Sequence, residues 1–212
     1  MDEEFYNKLK ERILPYFGKD DGHGFGHTQR VLKNALIICK NENIDLDILK
    51  TACLLHDVAR AKETDTNGVN HAEEGAKMAK EILRNIEFPD DKIDAVAYAI
   101  SVHRYSKGLR AETREAEILQ DADRLEALGA MILVRMFQHA FKNGSPFYDP
   151  NIPPDKYYTK SKTVINHIYE KILKIKPETF KTEMAREMAR ERYKLVEDFA
   201  ISFAKEWDGG EI

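Results

Sequence analysis

The segment LKTACLLHDVAR, residues 49–60, has the apolar spacing of a buried helix and carries two ionisable side chains within that pattern. Counted from Leu49, Cys53 lies at i+4, His56 at i+7 and Asp57 at i+8, so all share one helical face. A carboxylate on a buried face is costly unless another group offsets its charge. We therefore expect His56 and Asp57 to lie on the third helix and to point into the core.

A second histidine begins the apolar stripe of the preceding helix. From about residue 26, apolar residues at i, i+4, i+7 and i+8 predict a helix with one buried face; they are Val31, Ala35, Ile38 and Cys39. His27 lies four residues before this stripe and shares its face. A divalent cation would offset such burial, because it binds imidazole nitrogen and carboxylate oxygen together. Spacing alone leaves open the alternative that these are buried polar groups satisfied by hydrogen bonds.

The rest of the chain also has helical periodicity, which predicts an all-α fold. Asn70 followed by Glu73 resembles a capping box, and Pro89 opens the next helix. Further helices are predicted at 2–16, 112–127, 129–142, 161–174 and 178–207, with loops at 19–26 and 143–160. Without a repeat or linker, we expect a single domain over 1–212, with its core at about 20–142 and a C-terminal helical extension at about 161–207.

Composition and charge exclude several classes of protein. The 212 residues include 33 Lys and Arg against 37 Asp and Glu, with a net charge of −4 and both signs interspersed. Nucleic-acid partners are not expected, because such surfaces concentrate Lys and Arg, although a local basic pocket is compatible with the sequence. No apolar run approaches the ~18 residues of a membrane span, and the first residues lack a secretion signal. We expect reduced Cys39 and Cys53 and a cytoplasmic location.

Three ordered motifs resemble a known family. GHTQRVLKNA (26–35), ACLLHDVAR (52–60) and EILQDADRLEALGA (117–130) are similar to the H…HD…D signature of the HD superfamily, and above all to its small stand-alone bacterial hydrolases. The likeness extends to NHAEEGAKMA (70–79), AISVHR (99–104) and parts of 167–199, so it covers nearly the whole chain from about residue 20. An HD doublet alone is a weak signal, whereas this order of motifs is specific. The resemblance implies an HD-type helical bundle with additional C-terminal helices.

The resemblance implies that one divalent ion is bound by His27, His56, Asp57 and Asp123. Asp123 is preferred over Asp121 only by likeness, since periodicity does not separate them, and we interpret Asp121 as a solvated acid. Two nitrogen and two oxygen ligands suit Mn²⁺, Fe²⁺, Co²⁺, Ni²⁺ or Zn²⁺ better than Mg²⁺, and we expect Mn²⁺.

His71 and His103 are secondary candidates. Both are predicted near the same interior, and in relatives the corresponding regions either bind a second metal or contact phosphate and transfer protons. We favour the catalytic role for both, together with Asp57, because no further set of bridging carboxylates is evident; a second metal stays open. Helix capping or packing is the structural alternative for each histidine.

Phosphate would be bound by basic side chains, for which the candidates are Arg60, Lys62, Lys107, Arg124 and Arg135. Some relatives carry an acidic pair after the HD doublet that positions the attacking water, whereas this chain has Arg60, Ala61, Lys62 and Glu63, which leaves the general base unassigned. Each basic residue could equally be solvated. The Pro-rich loop could cover a base or close over the site with Phe147, Tyr148, Lys156, Tyr157 and Tyr158.

The function expected from these features is that of a metal-dependent phosphohydrolase acting on nucleotides or related phosphate esters and anhydrides, with pyrophosphate release from nucleoside triphosphates as one form. A catalytically silent metal- and nucleotide-binding sensor is an alternative, and a di-iron oxygenase is another. The expected partner is a small phosphorylated molecule, and homo-oligomer formation stays open.

Overall fold

A computed structural model describes residues 1–18, 24–64, 68–154 and 161–209. All regular elements within these ranges are helices, which confirms the all-α prediction. The chain folds into two compact units, Met1–Arg124 and Leu125–Ile212. The expectation of a single domain over 1–212 stays a prediction. Among the described residues, no helix combines the length and the apolar character needed to cross a membrane.

The first unit has six α-helices within its described residues. They are α1 (Glu3–Ile13), α2 (Phe25–Ile38), α3 (Leu46–Leu55), α4 (His71–Arg84), α5 (Asp90–Val102) and α6 (Arg114–Arg124). Helix α3 packs against α2, α5 and α6, while α4 packs against α5 and α2 packs against α6. The predicted apolar stripes lie at these helix interfaces, where Leu49, Leu55 and Ile100 are completely buried. Each such side chain contributes about 1.5–3 kcal/mol through burial.

Helix α3 ends earlier than predicted. It begins with Asp45, whose side chain accepts from the backbone N–H groups of Asp47 and Ile48, and it ends at Leu55. His56 and Asp57 therefore follow the helix instead of lying within it, which corrects the prediction. After Leu55 the backbone bonds span three residues, from Val58 N–H to the Leu55 carbonyl and from Arg60 N–H to the Asp57 carbonyl, and His56 Nδ1–H competes for the Cys53 carbonyl at 2.8 Å.

Helix α4 begins at the predicted cap. Asn70 Oδ1 accepts from the N–H of Ala72 at 3.2 Å, and Asn70 Nδ2 donates to Glu73 Oε1 at 2.7 Å. His71 is the first residue of the helix. The cap therefore determines where the backbone of His71 lies.

The second unit contains the remaining α-helices of the described chain. They are α7 (Ala130–Asn143), α8 (Val164–Glu170) and α9 (Glu183–Trp207). Gly129 before α7 has φ +82°, and Gly144 after it has φ +62°, a region that glycine adopts without strain. The predicted helix at 178–207 begins later, because the Thr182 side chain caps α9 by accepting from Ala185 N–H.

Replacing the cap of α4 is expected to destabilise the first unit. Asn70→Ala removes the acceptor for the Ala72 amide, so we expect a loss of about 1 kcal/mol in the free energy of unfolding, measured by urea denaturation. Asn70→Asp is the matched control, because its carboxylate can accept the same hydrogen bond. Equal stability of N70A and wild type would contradict this role of Asn70.

Candidate metal centre

Four predicted ligands converge within the first unit. His27 lies in the first turn of α2, His56 and Asp57 follow α3, and Asp123 lies near the end of α6. His27 Nε2 is 3.2 Å from Asp123 Oδ1 and 3.4 Å from His56 Nε2. Asp57 Oδ2 is 3.9 Å from the Nε2 atoms of both histidines. The group His27, His56 and Asp57 could hold a metal ion, and Asp123 adds a carboxylate oxygen to it.

A second group shares Asp57. The other carboxylate oxygen, Asp57 Oδ1, is 3.3 Å from His71 Nε2 and 3.8 Å from His103 Nε2. The two Nε2 atoms are 3.3 Å apart. These three residues also form a group that could hold a metal ion. Asp57 thus lies between the two groups and can bridge them, a possibility that sequence spacing did not indicate.

The backbone fixes the tautomer of two histidines. His56 Nδ1–H donates to the Cys53 carbonyl at 2.8 Å, and His103 Nδ1–H donates to the Ile100 carbonyl at 2.6 Å. In a neutral imidazole the other nitrogen then carries a lone pair. Both Nε2 lone pairs therefore face Asp57, itself an acceptor. These buried acceptors repel one another unless a cation lies among them. Their nitrogen and oxygen atoms are suitable ligands for a divalent ion.

Burial favours the neutral imidazoles that bind a cation. His56 is completely buried, and Asp57, His71 and His103 are at most 3% exposed. Burial lowers the pKa of His103 to about 4, helped by the nearby His56, and burial also lowers the pKa of His71. For Asp123 burial acts in the opposite direction, but the hydrogen bond from His27 and the nearby imidazoles hold its pKa below the ordinary range. Neutral imidazoles and ionised carboxylates are the forms that bind metal ions.

Asp121 is buried, at 2% exposure, and this corrects its interpretation as a solvated acid. It lies three residues after Ile118 on the face of α6 that packs into the core. The negative charge of Asp121 acts on the neighbouring Arg124, whose guanidinium lies over the Tyr105 ring at 3.5 Å. Asp121 is therefore part of the interior, next to Arg124.

The predicted phosphate-binding residues have different surroundings. Lys62 Nζ pairs with Glu74 at 2.8 Å, and Lys107 is exposed. Arg124 stacks on Tyr105 in the first unit. Arg135 belongs to the second unit, where its Nη1 donates to the Glu126 carbonyl at 3.4 Å. Arg60 lies directly against the second group, since its Nη1 is 2.9 Å from His71 Nδ1.

Sequence reasoning missed the roles of Glu63 and Arg104. Glu63 Oε2 lies 2.5 Å from His71 Nδ1 and 2.6 Å from Arg60 Nη1, and Glu63 Oε1 lies 2.7 Å from Arg104 Nη1. Helical periodicity could not place Glu63, because the chain leaves the helix at Leu55. Arg104 follows His103 directly, which was its only signal in the sequence.

The Pro-rich loop is described only in part. Phe147 packs on Phe137 with ring centroids 5.1 Å apart, and Tyr148 packs on Phe203 and Trp207 at 6.0 and 5.5 Å, all within the second unit. Lys156, Tyr157 and Tyr158 lie outside the described residues. The expectation that this loop closes over the site stays a prediction.

The fold and the order of these predicted ligands are those of a known family. The HD domain model matches residues 24–128. A predicted HD superfamily hydrolase from an uncultured Thermotogales bacterium is 32% identical, with a TM-score of 0.67 over 95% of this chain and 92% of that one. An HD-superfamily hydrolase from Bacillus thuringiensis is 30% identical, with a TM-score of 0.73 over 96% and 98% of the two chains. The chain therefore belongs to the HD superfamily.

A particular relative is the Bacillus subtilis protein YpgQ. It is 28% identical over 198 residues, which are 90% of this chain and 87% of YpgQ. The crystal structure of YpgQ in complex with ADP is similar to this chain with a TM-score of 0.73, at 25% identity and over 96% and 95% of the two chains.

Removing the shared carboxylate is expected to abolish metal binding. Mn²⁺ at 100 times its dissociation constant should stabilise the wild type by about 2.7 kcal/mol, which thermal unfolding detects. Asp57→Asn should lose this stabilisation. Without metal it should unfold no more easily than wild type, because one charge of the repelling set is gone.

Asp94→Asn is the control for this measurement, because Asp94 is exposed and pairs with Lys80 at 2.6 Å. It should retain the full response to Mn²⁺. Stabilisation of D57N by Mn²⁺ to the wild-type extent would exclude the assignment of Asp57 as a ligand.

Proposed function

We propose that this protein is a metal-dependent phosphohydrolase that acts on nucleotides or related phosphate esters and anhydrides. The observation that carries the proposal is the convergence of the His56 and His103 lone pairs on the Asp57 carboxylate, beside His27, Asp123 and His71. This arrangement favours a divalent cation at the centre of the first unit. Membership of a superfamily whose solved neighbours are described as hydrolases supports hydrolysis as the reaction type.

The residues of the two groups have different proposed roles. His27, His56, Asp57 and Asp123 would hold the ion, which when bound lowers the pKa of water and neutralises charge on a phosphoryl group. His71 and His103 line the other side of Asp57, where they can contact the phosphoryl group or exchange a proton with water or substrate. Arg60, beside His71, can bind phosphate oxygens through its remaining N–H groups.

The substrate class rests on charge and on a relative. A phosphoryl group bears negative charge, and Arg60, beside the second group, matches it. The structure of YpgQ in complex with ADP supports a nucleotide as the ligand of this chain as well. Pyrophosphate release from nucleoside triphosphates is one form of this activity. The nitrogen and oxygen ligand set supports Mn²⁺ as the active ion over Mg²⁺.

The structure weakens the argument for a catalytically silent sensor. That alternative rested on the absence of an acidic pair after the HD doublet, yet Glu63 brings a carboxylate from this segment to His71. The di-iron alternative requires His71 and His103 to be ligands of a second ion, which the metal content of the protein tests.

A hydrolysis screen tests the proposed function directly. Purified protein should release phosphate or pyrophosphate from members of a panel of nucleoside mono-, di- and triphosphates in the presence of Mn²⁺. EDTA should abolish release, and excess Mn²⁺ should restore it. Thermal stabilisation by nucleotides without product, across several divalent metals, would support the sensor instead and refute the enzyme.

The number of bound ions separates the two roles of His71 and His103. With both histidines in catalysis, we expect one Mn²⁺ per chain by elemental analysis, and His103→Gln should retain it while turnover falls about 10²-fold or more. Two ions per chain, one of them lost in H103Q, would assign these histidines to a second ion and contradict the one-ion proposal.

A further inference from the structure

Glu63 connects the chain after the HD doublet to the second histidine group. It follows the 3₁₀ turn Arg60–Lys62, with its N–H bonded to the Arg60 carbonyl at 3.2 Å. Its side chain is 21% exposed and points toward His71, whose own side chain is 4% exposed. The contact joins Glu63 Oε2 to His71 Nδ1 at 2.5 Å. Glu63 therefore contacts a buried imidazole, which an ordinary surface ion pair would not do.

The atoms around His71 Nδ1 restrict where its hydrogen lies. A carboxylate oxygen only accepts, and a guanidinium nitrogen only donates. If Nδ1 carried the lone pair, it could accept from Arg60 Nη1 at 2.9 Å, but it would also meet the Glu63 oxygen at 2.5 Å, which is strongly repulsive. If Nδ1 carries the hydrogen, Glu63 accepts it, and Arg60 Nη1 donates to the same oxygen at 2.6 Å. The second arrangement satisfies all three groups.

Two arginines keep Glu63 in its accepting form. Arg60 donates to Oε2 and Arg104 donates to Oε1 at 2.7 Å. Burial favours the protonated carboxyl, but the hydrogen bond from His71 and the guanidinium of Arg104 hold the pKa of Glu63 below its ordinary value. A carboxylate stabilised in this way accepts the histidine hydrogen without taking the proton from it.

A competing carboxylate lies on the other side of the same ring. Asp57 Oδ1 is 3.3 Å from His71 Nε2 and would accept a hydrogen there. Because the contact with Glu63 is shorter, at 2.5 Å, the hydrogen of the neutral ring lies on Nδ1, and Nε2 keeps its lone pair. Without the charge of Glu63, Asp57 would draw the hydrogen to Nε2 and block that atom.

We propose that Glu63 is a positioning residue, which fixes His71 as the Nδ1–H tautomer and so presents the Nε2 lone pair of His71 to Asp57 and His103. His71 is then an acceptor at rest, able to bind a cation or take a proton from water, and it is not the donor to a leaving group. The proposal deepens the proposed function and rests on it only for its kinetic consequence.

Nitrogen NMR of histidine in the full-length, metal-free protein tests the tautomer without any need for activity. Spectra recorded at about pH 8, above the ordinary imidazole pKa, report which ring nitrogen is protonated. The His71 signals are assigned by their loss in His71→Asn. We expect Nδ1–H in the wild type and a shift of the population toward Nε2–H in Glu63→Gln.

Glu74→Gln is the matched control, since it removes the same charge three residues after His71 but from a carboxylate that pairs with Lys62. It should leave the His71 signals unchanged. A wild-type His71 protonated at Nε2, or an E63Q spectrum that keeps Nδ1–H as in wild type, would overturn the proposal whether or not the protein hydrolyses nucleotides.

Steady-state kinetics with the substrate found in the screen gives the second readout. E63Q should lower kcat by about tenfold or more, as loss of a hydrogen-bond partner of a site histidine does, while KM stays within about twofold. D94N, which removes a charge from the exposed pair with Lys80, should match wild type in both constants. An unchanged kcat in E63Q would overturn the role in turnover, whereas absence of hydrolysis by wild type would refute only the proposed function.

Discussion

Repulsion among buried electron pairs is the constraint around which the first unit is organised. Asp57 lies where α2, α3, α4 and α5 meet, with imidazole nitrogens on both sides and almost no exposure to water. The chain gives His56 and His103 backbone carbonyls for their hydrogens, so their free nitrogens face the carboxylate. A cation in this interior would therefore stabilise the fold, and the same acceptors would hold it for the proposed chemistry.

Much of this arrangement followed from the sequence. Helical spacing identified the apolar stripes of α2 and α3 and the cap of α4, since these depend on neighbouring residues only. The inward direction of His27 and His56 followed from the same spacing. The choice of Asp123 required resemblance to a family, because periodicity alone did not separate it from Asp121, and its role as a ligand remains a prediction.

The remaining features depend on tertiary contacts that helical periodicity does not predict. Helix α3 ends at Leu55, where i→i−3 backbone bonds follow, so His56 and Asp57 face the interior from a turn. Asp121 is buried beside a stacked arginine, although a lone acid on a helix edge ordinarily indicates solvent. Glu63 reaches His71 through a 3₁₀ turn, whose direction depends on where the preceding helix stops.

The position of Asp57 between two groups has a thermodynamic consequence. One carboxylate carries one negative charge, and its two oxygens face different partners. Whatever binds at one oxygen withdraws electron density from the other, so the affinities on the two sides are linked, and by the same factor in both directions. Two cations would weaken each other's binding, whereas a single cation on one side would make the opposite oxygen a poorer base. The affinity or basicity of one group therefore cannot change without affecting the other, because both share Asp57.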